Sequence, residues 1–287
     1  MKRKAIPFLR MHAVMGPKAR GVTRLMAHAV MCPKTLALIL LPALLVSLFA
    51  WTALAAGEQA VQVGETGGSV FVPYRADEPD GAGYTWKWTL PRLDESEPNA
   101  YRVNSYYDYF ISDQMENFVP LIAESMAEAG VPVLRETTFQ TTCSNGSFIS
   151  FLITTRLTDG EEIDEVFEGH TFSLTDGMPG STLSLPQLLG ALEIQAGNQD
   201  TWLENRQTEK ANRIIRSLVW DRISASSVPV YPDFTEETLA ACFFPELDFY
   251  LNEQGNPVFF LQPGDAAPSS SGRLDFPLSL EEIEDEW

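Results

Sequence analysis

The sequence predicts an α+β domain, in which an antiparallel or mixed sheet with hairpins packs against two to three helices. Runs of β-rich sequence flank turn signals, most clearly at 137–142 and 148–157 on either side of Asn145-Gly146, and Asn-Gly is the strongest short hairpin signal. Segments with helical spacing stand between groups of strands and do not alternate with single strands. Grouped strands and grouped helices are typical of α+β architecture.

The first half of this domain has three kinds of local signal. Residues 84–93 alternate aromatic and polar side chains, which predicts a half-buried strand that stops at Pro91. Apolar residues recur at helical spacing from 99 to 129, and Pro120 is expected to kink or split that helix. A further strand, 165–174, follows the turn at Asp159-Gly160.

The sequence of the second half predicts two helices followed by a second hairpin. Helices are expected at 183–192 and 202–223, and strands at 247–251 and 258–261 flank a turn rich in Asn and Gly. A short strand at 273–276 precedes a last helical turn, which the pair Ser279 and Glu282 would open as a capping box.

Charge divides the chain into two unlike parts. The 287 residues include 20 Lys and Arg and 39 Asp and Glu, for a formal charge of −19. All eight basic residues before position 35 stand there without an acid, which leaves 12 basic and 39 acidic residues and a charge of −27 beyond it. Nucleic-acid binding requires a basic face that releases counterions. The balance therefore excludes nucleic acid as a partner.

An apolar segment, 35–56, joins the two parts. It has about 22 residues without charge, the length that a helix needs to cross a bilayer. Cations before it and acids after it place the N-terminus in the cytoplasm. The small residues of Ala53-Leu54-Ala55-Ala56 are typical of a signal peptidase site. The segment is predicted to be a signal peptide, with a signal anchor as the alternative, so the rest is extracytoplasmic, either secreted or anchored in the cytoplasmic membrane.

These observations predict four segments. Residues 1–34 are a basic leader, interpreted as an extension upstream of a start at Met31 or Met26, with a short cytoplasmic segment as the alternative. Residues 35–56 follow as the signal peptide or anchor. Residues 57–83, rich in Gly and acids, are expected to form a flexible spacer. Residues 84–287 are expected to form the folded domain.

The order of short motifs in residues 84–280 resembles the RsiV/PdaC-like superfamily of extracytoplasmic domains. The motifs are Leu90-Pro91, Val103-Asn104, Phe148-Ile149-Ser150-Phe151, Gly169-His170, Phe172-Ser173-Leu174, Asp248-Phe249-Tyr250-Leu251 and Val258-Phe259-Phe260-Leu261-Gln262-Pro263. The family has Gly-Gly-Ala before its His, where this chain has Phe167-Glu168-Gly169. The resemblance implies protein recognition, of a lysozyme-like muramidase for example, or association with peptidoglycan.

His170 is the only histidine beyond the apolar segment and is the first candidate site residue. On a strand Glu168 shares its face, whereas Glu165 points away. The favoured interpretation is a structural His bonded to backbone at a turn. Ligand contact through His170 and Glu168, and catalysis, are the alternatives. No nucleophile elbow, metal-binding His pair or phosphate loop is present, so no catalytic residue, metal or cofactor is predicted.

Cys143 and Cys242 are the only cysteines beyond the apolar segment. Two thiols in an oxidising compartment are candidates for a disulfide, which would close a loop of about 100 residues. The alternative is two separate buried thiols.

The sequence therefore predicts a non-catalytic binding or sensor-type domain at the bacterial cell envelope. Its expected partner is a cationic envelope protein such as lysozyme, or peptidoglycan, and its only membrane contact is through 35–56. A charge of −27 favours the cationic protein. The alternative is an envelope-acting enzyme, such as a cell-wall hydrolase or an accessory to a deacetylase.

Overall fold

A computed structural model describes residues 61–287, except 79, 98, 129, 161–162, 176–179, 191–200 and 226–229. The expected leader and apolar segment lie outside the described residues. Residues 57–287 form one compact unit. Among the helices of the described part, none is both long and apolar enough to span a bilayer.

A mixed five-stranded sheet is the centre of the domain, with its strands side by side in the order β1 to β5. The strands are β1 (Val63–Pro73), β2 (Gly83–Leu93), β3 (Val133–Ser144), β4 (Phe148–Thr158) and β5 (Ile163–Ser173). Only the pairing of β2 with β3 is parallel; the other pairs in this sheet are antiparallel. The predicted α+β class with a mixed sheet is confirmed.

Strand β1 corrects the expectation of a flexible spacer at 57–83. It pairs with β2 along its whole length, from Val63 opposite Leu93 to Pro73 opposite Gly83. The Gly-rich composition was misleading because the Trp88 ring lies over Gly68, where an added Cβ would be 2.2 Å from a ring carbon. Glycine is therefore required there by close packing, and does not mark a loop. Strand β2 also continues through Pro91, where a stop was expected.

One face of this sheet is covered by a nearly continuous helical segment. It consists of α1 (Ala100–Asp113), a π-helical turn (Gln114–Phe118) and α2 (Val119–Ala127). Pro120 lies at the start of α2, where its missing N–H is tolerated. The apolar side chains buried between this segment and the sheet include Tyr84, Trp86, Leu90, Val103, Tyr107, Val119, Ile149, Phe151, Ile153 and Phe172.

The opposite face carries a second core. Its strands form an antiparallel sheet: β6 (Phe249–Leu251), β7 (Pro257–Leu261) and β8 (Leu274–Pro277). Its helices are α3 (Leu185–Leu188), α4 (Thr201–Ala225), α5 (Glu236–Cys242) and α6 (Leu280–Asp285). The apolar residues of β6 and β7 pack there against α4 and α5.

The predicted turns are confirmed at the level of single hydrogen bonds. The Asn145 side chain accepts from the backbone N–H of Ser147 and of Phe148 in the first hairpin. In the capping box of α6, Ser279 Oγ accepts from the N–H of Glu282, and Glu282 accepts from the N–H of Ser279. These contacts span three residues or fewer, which is why sequence alone predicts them.

Candidate functional site: a buried histidine cluster and an acidic groove

His170 lies within β5, opposite Phe151 of β4, on the face that α1 covers. The expected position at a turn is wrong, because β5 continues from Ile163 to Ser173 without a break. The residue is 7% exposed. As predicted, Glu168 shares its face, while Glu165 makes an ion pair with Arg156 elsewhere on the surface.

In the described part of the chain, the partners of His170 are side chains and not backbone groups. Tyr107 Oη is 3.1 Å from Nδ1, Tyr106 Oη is 3.4 Å from Nε2, and Glu168 Oε2 is 3.6 Å from Nε2. The rings of Tyr106, Tyr107 and Phe110 surround the imidazole. The expected backbone contact is therefore replaced by two phenols and a carboxylate, and the structural interpretation of His170 remains the simplest one.

The two phenols stay protonated over the whole physiological pH range. Burial, and then the Glu168 carboxylate, raises the pKa of Tyr106, and burial also raises the pKa of Tyr107. A tyrosinate nucleophile or base is thus disfavoured. The side chain of Glu168 is 44% exposed, so a ligand approaching this face would meet Glu168 before His170.

The two cysteines lie at the same hydrophobic core on the other face of the sheet. Cys143, in β3, is buried there, and Cys242, at the end of α5, packs against the same cluster. Both side chains are thiols in the structure, and each has a hydrogen-bond partner, Asn145 for Cys143 and the Leu239 carbonyl for Cys242. The disulfide stays a prediction.

An open groove lies beside the end of β2 and the start of α1. One part, about 490 Å³ in volume, includes Arg92, Glu95, Glu97, Tyr101 and Asp108 among its lining residues. A second part, about 440 Å³, is lined by residues 62–65, at the start of β1, and by residues 92–95. Arg92 and Glu95 line both parts. The two parts are therefore continuous and form one surface, which we call the acidic groove.

Carboxylates dominate this groove. They belong to Glu65, Asp94, Glu95, Glu97 and Asp108. Among the described residues that line it, Arg92 is the only basic one, and its guanidinium is already paired with Asp108 at 2.8 Å. The hydroxyl of Ser96, and then its N–H, donates to Asp94 and lowers the pKa of that carboxyl. The groove is therefore negatively charged at neutral pH and attracts cations.

Asn104 fixes the shape of the groove. Its side chain is buried, accepts from the N–H of Leu93 at 2.9 Å and donates to the Leu93 carbonyl at 2.9 Å. This pairing holds the first turns of α1 against the end of β2. Tyr101, three residues earlier on the helix, is 54% exposed at the groove, where an aromatic face can bind a cation.

Sequence reasoning missed the groove because three separated segments form it. The available signal was the cluster of acids at 94–97, but nothing local indicates that residues 62–65 lie beside them. Within the described residues, no group of three or more His, Cys, Asp or Glu side chains is placed to hold a metal ion.

No protein-family profile and no curated protein matches the chain. Among solved structures, a DUF3298 family member from Bacteroides fragilis is 12% identical, with a TM-score of 0.47, over 79% of this chain and 94% of that one. A DUF3298 family protein from Pseudomonas aeruginosa is 7% identical, with a TM-score of 0.39, over the same shares. The chain is thus similar to DUF3298 proteins only at a low level.

Proposed function

We propose that this chain is an exported, non-catalytic binding domain of the bacterial cell envelope that recognises a cationic protein, such as a lysozyme-like muramidase. The observation that carries the proposal is the acidic groove, in which five carboxylates stand against one paired arginine. The exposed Tyr101 ring beside them adds a surface for a lysine or arginine of the partner.

The net charge of the chain also favours a cationic partner. Beyond residue 34 the formal charge is −27, and a field of one sign accelerates association with partners of the opposite sign. The same field repels anionic wall polymers. A basic protein is therefore favoured over the wall glycan as the partner.

The histidine cluster supports a binding role over catalysis. Its phenols have raised pKa values, and His170 is enclosed by aromatic rings. A general base needs access to the proton that it removes, and here only Glu168 reaches solvent to a large extent. We assign the cluster to the packing of α1 on β5, which keeps the helix at the groove in place.

The proposal is tested by measuring the binding of residues 57–287 to a lysozyme-like muramidase by calorimetry at low and physiological salt. The groove variant replaces Glu65, Glu95 and Glu97 by Gln. The control variant replaces Glu116, Glu124 and Glu128 by Gln, which changes the charge equally on exposed residues of the helical segment.

We expect the groove variant to bind about tenfold more weakly, since three solvent-exposed ion pairs at about 0.5 kcal/mol each sum to about 1.5 kcal/mol. The control variant should lose about twofold or less through the change in net charge. Equal losses in the two variants would mean that only nonspecific charge attraction is present, and the proposal would fail.

A further inference from the structure

The outer edge of β1 is open. β1 stands at the end of the sheet and extends over 11 residues, none of which is buried. Within the described residues, β2 is the only strand that pairs with it. Its outward N–H and C=O groups are therefore available to a further strand.

β1 lacks most of the features that normally prevent edge pairing. Protected edges are short, bulged, or carry lysines, inward-pointing charges or prolines. β1 is long, its register with β2 is regular from end to end, and its single proline, Pro73, is the last residue. Its one charged residue is Glu65. An edge of this kind is suited to pairing with an added strand.

The acidic groove determines which strand would fit. Residues 62–65, at the start of β1, and residues 92–95 together line the second part of the groove, where Val63 and Gly64 pair with Leu93 and Arg92. A strand added at the outer edge of β1 would lie about 5 Å from β1 and about 10 Å from β2, so long basic side chains on it can reach toward Glu65, Asp94 and Glu95. These carboxylates favour lysine or arginine. At the other end of β1 the Phe71 side chain is 45% exposed and offers an apolar contact.

We propose that β1 is the docking edge for an extended, basic segment of a partner protein, which adds a strand to the five-stranded sheet and places its cationic side chains in the acidic groove. The inference rests on the proposed function and specifies how the partner is held. Backbone hydrogen bonds to β1 supply affinity, and every second side chain of the added strand lies on the groove side and supplies selectivity.

The test uses residues 57–287 and a fluorescently labelled peptide of alternating Lys and Val with blocked ends. Two further peptides have the same sequence and charge but carry N-methyl groups on alternate amides, one on the Lys amides and one on the Val amides. N-methylation removes backbone donors and leaves the charge unchanged. Binding is measured by fluorescence anisotropy at physiological salt.

We expect the parent peptide to bind and at least one methylated peptide to bind about tenfold more weakly, because one set of amides faces β1. Equal binding of all three peptides would overturn edge docking and leave charge attraction alone. A dimer of the protein in sedimentation at the same concentration, dissociated by the parent peptide, would also overturn the proposal, since a second copy would then be the occupant of the edge.

The outcomes separate this inference from the proposed function. If the three peptides bind equally while the Glu65, Glu95 and Glu97 variant still weakens muramidase binding selectively, only edge docking fails. If neither the peptides nor the muramidase bind, both proposals fail.

Discussion

The two outer strands of the five-stranded sheet, β1 and β5, differ in how far other parts of the chain cover their outer edges. On β5, the Leu183 N–H donates to the Thr171 carbonyl, and the Gln262 side chain pairs with both the N–H and the carbonyl of Phe167. Between these contacts, Gly169 lies directly against the backbone of β6. On β1, within the described residues, only β2 makes backbone pairs.

The difference lies in which edge of the sheet later parts of the chain cover. β5 is closed by later parts of the same chain, and His170, the strongest candidate in the sequence, lies on this closed strand. β1 is open and borders the acidic groove. His170 and Glu168 thus belong to the edge strand that other parts of the chain cover, whereas the groove borders the edge strand that, within the described residues, only β2 pairs with.

The largest expected effect comes from Gly169→Ala. A Cβ at this position would lie 1.5 Å from the Phe249 carbonyl oxygen, so β5 and β6 would have to separate. We expect a loss of more than about 3 kcal/mol in the free energy of unfolding, measured by urea denaturation.

The matched control is Gly64→Ala on β1, where the nearest atom, the Arg92 carbonyl oxygen, would be 3.3 Å away. Its effect should stay within about 1 kcal/mol, because the open edge can adjust. Comparable losses in the two variants would contradict the contrast between a closed and an open edge.

A smaller effect is expected from Gln262→Ala. This change removes an acceptor for the Phe167 N–H at 2.9 Å and a donor to its carbonyl at 2.8 Å, and it should cost about 1–3 kcal/mol in urea denaturation. Gln262→Glu keeps an acceptor but loses the donor, so it should also lower the free energy of unfolding measurably.

Gln62→Ala, beside β1, is the control, since the Gln62 side chain is exposed. A loss of stability as large as that of Gln262→Ala would argue against a special role for Gln262.

The same contrast explains what the sequence predicts and what it leaves out. The Asn145 hairpin and the Ser279 capping box were predicted because each depends on contacts within three residues. β1 was missed because the need for glycine at position 68 comes from Trp88, which is distant in sequence. His170 was placed at a turn because the family that the chain resembles has a turn at its Gly-Gly-Ala-His motif, whereas here Gly169 lies within a continuous strand and is required by the approach of Phe249. Long-range packing, not local propensity, decides these positions.

The smallest expected effect concerns Tyr250 in β6, on the closed side. Burial, and then the Asp275 carboxylate that accepts its O–H, raises the pKa of Tyr250 to about 12, above the usual 10.0. The native state therefore keeps a proton that the unfolded state loses between pH 10 and 12, so this contribution to stability is complete below pH 10 and is lost as the pH rises toward 12.

Tyr250→Phe should reduce the fall in the free energy of unfolding over this pH interval, by less than about 1 kcal/mol because solvent screens a half-buried group. Urea denaturation at a series of pH values measures it. The control is Tyr101→Phe, which removes the hydroxyl of an exposed tyrosine at the acidic groove. An identical pH dependence for Tyr250→Phe and the unchanged protein would show that the phenol of Tyr250 does not stabilise the closed side through its proton.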